Sequence, residues 1–280
     1  MKRVFILLQF VTLLWTALCF AGEFEDGLAA HARGDYKAAF AIWTRAANQG
    51  DSKAQALLGA MYDEGKGVTQ NYNQAALWYR KAADHGYAPA QYRLGVMYAE
   101  GEGVPHDDAQ AASWFRKAAD QGVAGAQTLL GTMYDEGKGV PLDHNQALAW
   151  FRKAADRGEA VAQFNLGARY SEGKGVTQNY NQALFWWEKA AYQGLASAQY
   201  NLGRLYATGR GVPQEYNEAL SWWRKAADQG EVSAQFSLGL MYLDGLGIPQ
   251  DFVEAHKWFN IAAANAPDKE ARDRAAKNRG

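Results

Sequence analysis

The residues of this chain that could carry chemistry are few. Ser171 and Lys174 stand in an S-x-x-K spacing, with Glu172 and Gly173 between them. In penicillin-recognising enzymes that spacing lets a lysine amine assist a nucleophilic serine. The companion motifs S-D-N and K-T-G are absent, and the same stretch recurs as Asp63-Glu-Gly-Lys66 and Asp135-Glu-Gly-Lys138, so Ser171 reads as one variant of a repeated loop. The five histidines, His31, His85, His106, His144 and His256, include no pair at a metal-ligand spacing. His106 with Asp107 and Asp108 reads as a solvated polar loop. Gly-Lys-Gly at Gly65, Gly137 and Gly173 lacks the spacer and terminal Lys-Ser/Thr of a phosphate loop. The expected catalytic, metal and cofactor complement is therefore none. Paired aromatics such as Trp186–Trp187 could form a ligand cage, but their fixed phase makes them core, most clearly the first member of each pair.

That phase comes from a repeat. Asp51 to Gly86 is followed by five further units beginning at Tyr87, Val123, Glu159, Leu195 and Glu231, all at a constant step of 36 residues. Within each unit Ala54, Leu58, Met61 and Tyr62 and their copies fall on one stripe of a first helix. Ala75, Trp78, Tyr79, Ala82 and Ala83 fall on a second. A Gly-x-Gly turn, Gly65 and Gly67 in the first unit, ends the first helix. Pro105, Pro141, Pro213 and Pro249 prevent its continuation. Lys81, Lys117, Lys153, Lys189 and Lys225 lie near the end of the second helix, where positive charge suits the helix dipole. Gly59, Gly95, Gly131, Gly167, Gly203 and Gly239 interrupt the first helix, where glycine costs about 1 kcal/mol relative to alanine. The expectation is that a neighbouring helix backbone comes close there.

One unit cannot bury enough apolar surface to fold alone, so neighbours must stack. The fold class expected is all-α, a right-handed superhelical solenoid of helix–turn–helix repeats. Six repeats occupy 51–86, 87–122, 123–158, 159–194, 195–230 and 231–266. A shortened capping unit occupies 22–50, where Trp43, Ala46 and Ala47 match the second helix. A polar cap occupies 267–280.

Residues 1–21 differ in kind. Met1, Lys2 and Arg3 precede an almost wholly apolar run from Val4 to Phe20, with Ala21 before the expected cut. This is the layout of a secretory signal peptide. The expected location is the periplasm or the exterior, with membrane anchoring by the same run as the lesser reading. The only cysteine, Cys19, lies within this segment, so the mature chain has no disulfide. The net charge of −1, with signs interspersed, gives no basic patch for nucleic acid.

Ala-Gln-x-x-Leu-Gly-x-Met-Tyr, then Gly-x-Gly-Val, then Ala-x-x-Trp-Phe-x-Lys-Ala-Ala, at this step, resembles the Sel-one-like repeat, a longer-looped relative of the tetratricopeptide repeat. The resemblance implies an adaptor that holds a protein partner on its surface, and exported bacterial members suggest envelope regulation, host contact or toxin neutralisation. It departs from the family pattern at Arg169 and Ile261. It also lacks the cysteines of the disulfide-closed branch, some of whose members are described as binding or hydrolysing penicillin-like compounds. A hydrolase acting on β-lactam-like or cell-wall-derived compounds is the alternative reading.

In such a stack the first helices are expected to line the concave side. Positions that vary there are the candidate partner contacts: Tyr92, Phe164, Tyr200 and Phe236 at one phase, Arg93, Asn165 and Asn201 one residue later, and Arg204 and Leu240 at another. Glu64, Glu100, Glu136, Glu172 and Asp244 form an acidic row. Aromatics flanked by arginine are common interface anchors. The competing expectation is that these rings fill gaps between units. The partner is expected to be a protein, with no nucleic acid and no membrane after cleavage, and the chain a monomer.

Overall fold

A computed structural model describes residues 24–266. The segments read as an export signal and as a polar C-terminal cap lie outside the described residues. Among these residues every regular element is an α-helix, and none is long and apolar enough to cross a membrane. The contacts divide the chain after Leu142 into two units, each described by itself.

The first unit holds α1 (residues 24–32), α2 (Tyr36–Asn48), α3 (Ser52–Glu64), α4 (Tyr72–Asp84), α5 (Ala88–Glu100), α6 (Asp108–Asp120) and α7 (Ala124–Glu136). The second holds α8 (His144–Asp156), α9 (Ala160–Glu172), α10 (Tyr180–Tyr192), α11 (Ala196–Thr208), α12 (Tyr216–Asp228), α13 (Val232–Asp244) and α14 (Phe252–Asn265). In both, sequential helices pack antiparallel as hairpins, and each hairpin packs on the next.

The helix limits follow from local chemistry. The first helix of each repeat ends at a glycine in the left-handed region, such as Gly65 at φ 70° and Gly209 at φ 67°. The second helix starts at an Asn or Asp whose side chain accepts from the backbone amide three residues on, as Asn71 does from Gln74 and Asn179 from Gln182, except α12, which starts at Glu215 without such a bond. Between them, the second glycine of the turn is fixed by space as well as by φ. A Cβ on Gly103 would meet the Tyr72 carbonyl at 2.1 Å, and one on Gly139 would meet that of Asp108 at the same distance. Each loop thus rests on the first turn of the preceding repeat's second helix.

The expected stripes are the core. Ala54, Leu58 and Met61 are buried on α3, and Ala75, Trp78, Tyr79, Ala82 and Ala83 on α4. Both members of each aromatic pair from Trp78–Tyr79 to Trp222–Trp223 are buried, which resolves the role of the second member. The helix glycines have a different reason from the one expected. A Cβ on Gly95 would meet the Phe115 ring at 2.7 Å, and one on Gly167 or Gly203 would meet the indole of Trp187 or Trp223 at 2.5 Å. The close neighbour is the second aromatic of the same repeat, not a helix backbone. In the N-terminal pair, Gly27 takes this role against Trp43, with the long loop missing between them.

A buried amide row ties hairpin to hairpin. Gln55, Gln91, Gln163, Gln199 and Gln235 each donate through Nε2 to the carbonyl eight residues earlier, at 3.1–3.2 Å. The Oε1 atoms of Gln91, Gln163 and Gln199 accept from Gln121, Gln193 and Gln229, thirty residues on, at 2.7–2.8 Å. Asn265 takes the same place for Gln235. Burial would make an unpaired amide costly, so this row also fixes register.

Candidate protein-binding surface

The candidate contact residues divide between the units, with Tyr92 and Arg93 in the first and the other seven in the second. Tyr92 on α5 is half-buried, its ring 6.0 Å from that of Phe115. Arg93 is already engaged. Its guanidinium pairs with the buried Asp63 carboxylate of α3, close to Tyr79. Burial works to lower the Arg93 guanidinium, but the hydrogen bond to Asp63 and the fields of Tyr79 and Asp63 outweigh it and hold it above its usual range. Burial, with the Asp63 charge beside it, pushes the Tyr79 phenol up to about 12.

In the second unit, Phe164 on α9 packs half-buried against the α10–α11 core, and its carbonyl accepts from Trp187 Nε1 at 3.1 Å. Tyr200 on α11 stacks on Trp223 with centroids 6.5 Å apart, and its carbonyl accepts from Trp223 Nε1 at 3.0 Å. Phe236 on α13 lies 5.4 Å from the Phe259 ring. Asn201 donates to the Ser197 carbonyl at 3.0 Å. Asn165 and Leu240 are half-buried, and Arg204 is exposed. The rings of Tyr92, Tyr200 and Phe236 therefore seat on the second-helix aromatics of their own repeats and that of Phe164 against the α10–α11 core, the gap-filling role, and each keeps part of its surface in solvent.

Elsewhere the exposed chemistry is inward-directed or local. Ser171 donates to the Ala168 carbonyl at 3.0 Å, and the Lys174 ammonium sits 2.7 Å from Glu172, so each is occupied by a different partner. The same Lys–Glu contact occurs at Lys66–Glu64 and Lys138–Glu136, at 2.6 and 2.7 Å. His106 lies 3.4 Å from Asp108. Among the described residues no three His, Cys, Asp or Glu come together as a metal would require. Arg169, at a phase held elsewhere by Met or Leu, is buried 5.9 Å from the Phe151 ring and 3.4 Å from His144 Nδ1, and burial lowers its guanidinium.

The profile of the Sel1 repeat family matches residues 16–51, 52–87, 88–123, 124–159, 160–195, 196–231 and 232–266. The chain belongs to the Sel1 repeat family. Two solved Sel1-type structures superpose closely. One is a protective antigen present in uropathogenic Escherichia coli strains displaying an SLR fold, 33% identical, with TM-score 0.82 over 96% of this chain and 63% of that one. This chain thus spans less than two thirds of that protein's length. The other is a Sel1 repeat protein from Oxalobacter formigenes, 36% identical, with TM-score 0.78 over 86% of this chain and 99% of that one. No curated protein matches. The fold class is the all-α solenoid expected, and Sel1 repeat proteins commonly act as scaffolds for protein–protein interaction.

Two further aromatics stand out at the phases of the Sel1 repeat. On α10, Phe185 and Tyr192 are exposed, Tyr192 at 76%. At the Tyr192 phase four other Sel1 repeats have Asp84, Asp120, Asp156 and Asp228. Tyr192 packs edge-on against Trp222 at 5.6 Å, and Phe185 against Trp186 at 5.0 Å. The signal was legible, since an aspartate kept in four units and replaced by tyrosine in one stands out once phases are aligned.

Proposed function

We propose that this protein is an exported, non-catalytic adaptor that binds a partner protein on the first-helix face of its second unit. The observation that carries this reading is the set of half-exposed rings Phe164, Tyr200 and Phe236, held by the aromatics beneath them, with the exposed Arg204 nearby in sequence and the half-buried Leu240 at its phase. Rigid aromatic surface loses little side-chain entropy on docking, which favours it as an anchor. Tyr92 belongs to the same phase in the first unit and is proposed as a lesser contact there. Arg93 is a weaker candidate, because Asp63 occupies its guanidinium.

The apolar run from Val4 to Phe20 supports export to the periplasm or beyond. The description of the Escherichia coli relative as a protective antigen is consistent with that location. Envelope regulation, host contact and toxin neutralisation are the roles such a placement would serve. The hydrolase reading is weaker, because Ser171 and Lys174 are each turned to other partners.

The test is affinity capture from envelope and culture-supernatant extracts, with a Tyr200→Ala/Arg204→Ala double variant beside the native chain. A saturable protein partner lost in the variant supports the reading. A partner retained equally by both removes this face, and turnover of nitrocefin abolished by Ser171→Ala would replace the adaptor with the hydrolase.

A further inference from the structure

The second helices carry an arginine at a fixed phase, and it is used in a fixed way. Arg152 of α8 donates to the Tyr170 hydroxyl at 2.6 Å, with its guanidinium carbon 6.0 Å from that ring and 5.3 Å from the Trp186 indole of the next second helix. Arg80 lies in the same way, 5.4 Å from Tyr98 and 5.5 Å from Trp114. Arg116 bonds Tyr134, and Arg224 bonds Tyr242 at 2.8 Å. The repeat therefore builds a guanidinium slot between a tyrosine and a tryptophan, and fills it from its own chain.

At the α10–α11–α12 junction the aromatics of the slot recur but its arginine does not. The residue at the arginine phase is Glu188, and the matching aromatics, Tyr206 and Trp222, pack in one core cluster. Nothing among the described residues donates to the Glu188 carboxylate. Burial holds that carboxyl above its ordinary range, the direction expected of a carboxylate short of a counter-charge. Burial, then the charges of Glu188, Glu218 and Glu215, raise the Tyr206 phenol. Of the neighbouring cations, Lys189 lies over Phe185 at 4.5 Å, Arg210 over Tyr180 at 5.6 Å, and Arg224 is held by Tyr242. Lys225 lies over the Trp222 ring at 4.2 Å, as Lys117 lies over Trp114 at 3.7 Å in a slot that Arg80 also fills, so the lysine does not take the arginine's place. Tyr192, exposed beside Trp222, adds an apolar wall.

We infer that this slot receives an arginine side chain presented by the partner protein, which takes the place the repeat's own arginine holds elsewhere. Four filled copies in this chain show that a guanidinium fits the tyrosine geometry, with a tryptophan beside Arg80 and Arg152, and the Glu188 carboxylate at the arginine phase selects a positive group from outside. A guanidinium stacked on aromatics and paired with a carboxylate is a favoured interface anchor. The inference rests on the adaptor reading and adds to it the chemistry of one partner contact.

The test uses the full chain, 15N-labelled at its indoles, titrated with the peptide acetyl-Leu-Arg-Leu-amide and with its citrulline counterpart, which keeps the shape and removes the charge. The Trp222 indole signal is identified with Trp222→Phe. The arginine peptide should shift it saturably, with the citrulline peptide weaker by about tenfold or more. Glu188→Arg should abolish the shift by refilling the slot internally, and Glu188→Gln should weaken it without altering the shape. An unmoved Trp222 signal, equal binding of citrulline, or undiminished binding by Glu188→Arg overturns the inference. If the slot is silent while a partner is still captured through Tyr200 and Arg204, the inference falls and the adaptor reading stands. If the slot binds arginine but no protein is captured, the adaptor reading is the one that fails.

Discussion

Gly203 of α11 lies directly beneath the indole of Trp223 on α12, so close that a Cβ would stand 2.5 Å from both Cδ1 and Nε1. The Trp223 Nε1 itself donates to the Tyr200 carbonyl one turn away. The glycine is thus the seat of a ring, and the ring in turn holds the backbone under a candidate contact residue.

Gly203→Ala sets two effects against each other. Helix propensity favours alanine by about 1 kcal/mol, whereas overpacking a filled site costs about 1–3 kcal/mol. The indole is rigid and hydrogen-bonded, so packing should win. The expected result is a lower thermal midpoint by circular dichroism together with a changed Trp fluorescence spectrum. A rise in the midpoint would show that the ring slides aside at no cost.

Gln199→Ala removes a donor from the Ala191 carbonyl and an acceptor from Gln229. Buried groups left without partners cost about 1–3 kcal/mol. Urea unfolding should move to lower concentration by a corresponding amount. The exposed Gln214, which bonds the Ala207 carbonyl in its loop, should tolerate the same change with a smaller loss.

The Tyr79 phenol, raised from about 10 to about 12, binds its proton more tightly in the folded chain. Its contribution to stability is complete below pH 10 and is lost as pH rises toward 12. The chain should therefore weaken across that window, and Tyr79→Phe should flatten part of the slope measured by denaturant midpoint against pH. An identical slope in the variant would assign the alkaline loss to the other tyrosines.

Tyr200→Ala and Arg204→Ala should differ when made singly. Tyr200 stacks on Trp223, so its loss should lower both stability and partner affinity. Arg204 is exposed and should leave the thermal midpoint nearly unchanged, while affinity falls by a factor measurable in a binding isotherm. A drop in stability alone for Tyr200→Ala would make that ring purely a packing element.

The fold was almost wholly legible in the sequence because one unit is printed six times, and each recurring residue has one physical cause. Gly65, Leu58 and Trp78 could be placed from periodicity alone. The helix glycines were located correctly but explained wrongly, since spacing along one helix does not tell whether a backbone or a ring from the next helix lies against it. The candidate surface was harder. Tyr92, Phe164, Tyr200 and Phe236 were recognised as variable, but only coordinates show them seated on Phe115 and its counterparts or against the core. Arg93 stands among the candidate partner contacts in the sequence because its partner Asp63 lies thirty residues earlier, beyond any local pattern. Glu188 differs from its counterparts Arg80, Arg116, Arg152 and Arg224 in sign and not in apolar character, so a pattern of apolar stripes does not mark it.

The amide row has one more consequence, for how such a chain can change over generations. Gln199 reaches back eight residues to Ala191 and forward thirty to Gln229, and Gln235 reaches back eight to Ala227 and forward thirty to Asn265. Excising residues 195–230 would join Gly194 to Glu231 and leave Gln235 facing Ala191, with Asn265 still on Gln235. In this stretch a whole unit can then be lost or duplicated by unequal recombination with the amide bonds re-formed in kind, so lineages can vary in length without an intermediate that must be refitted.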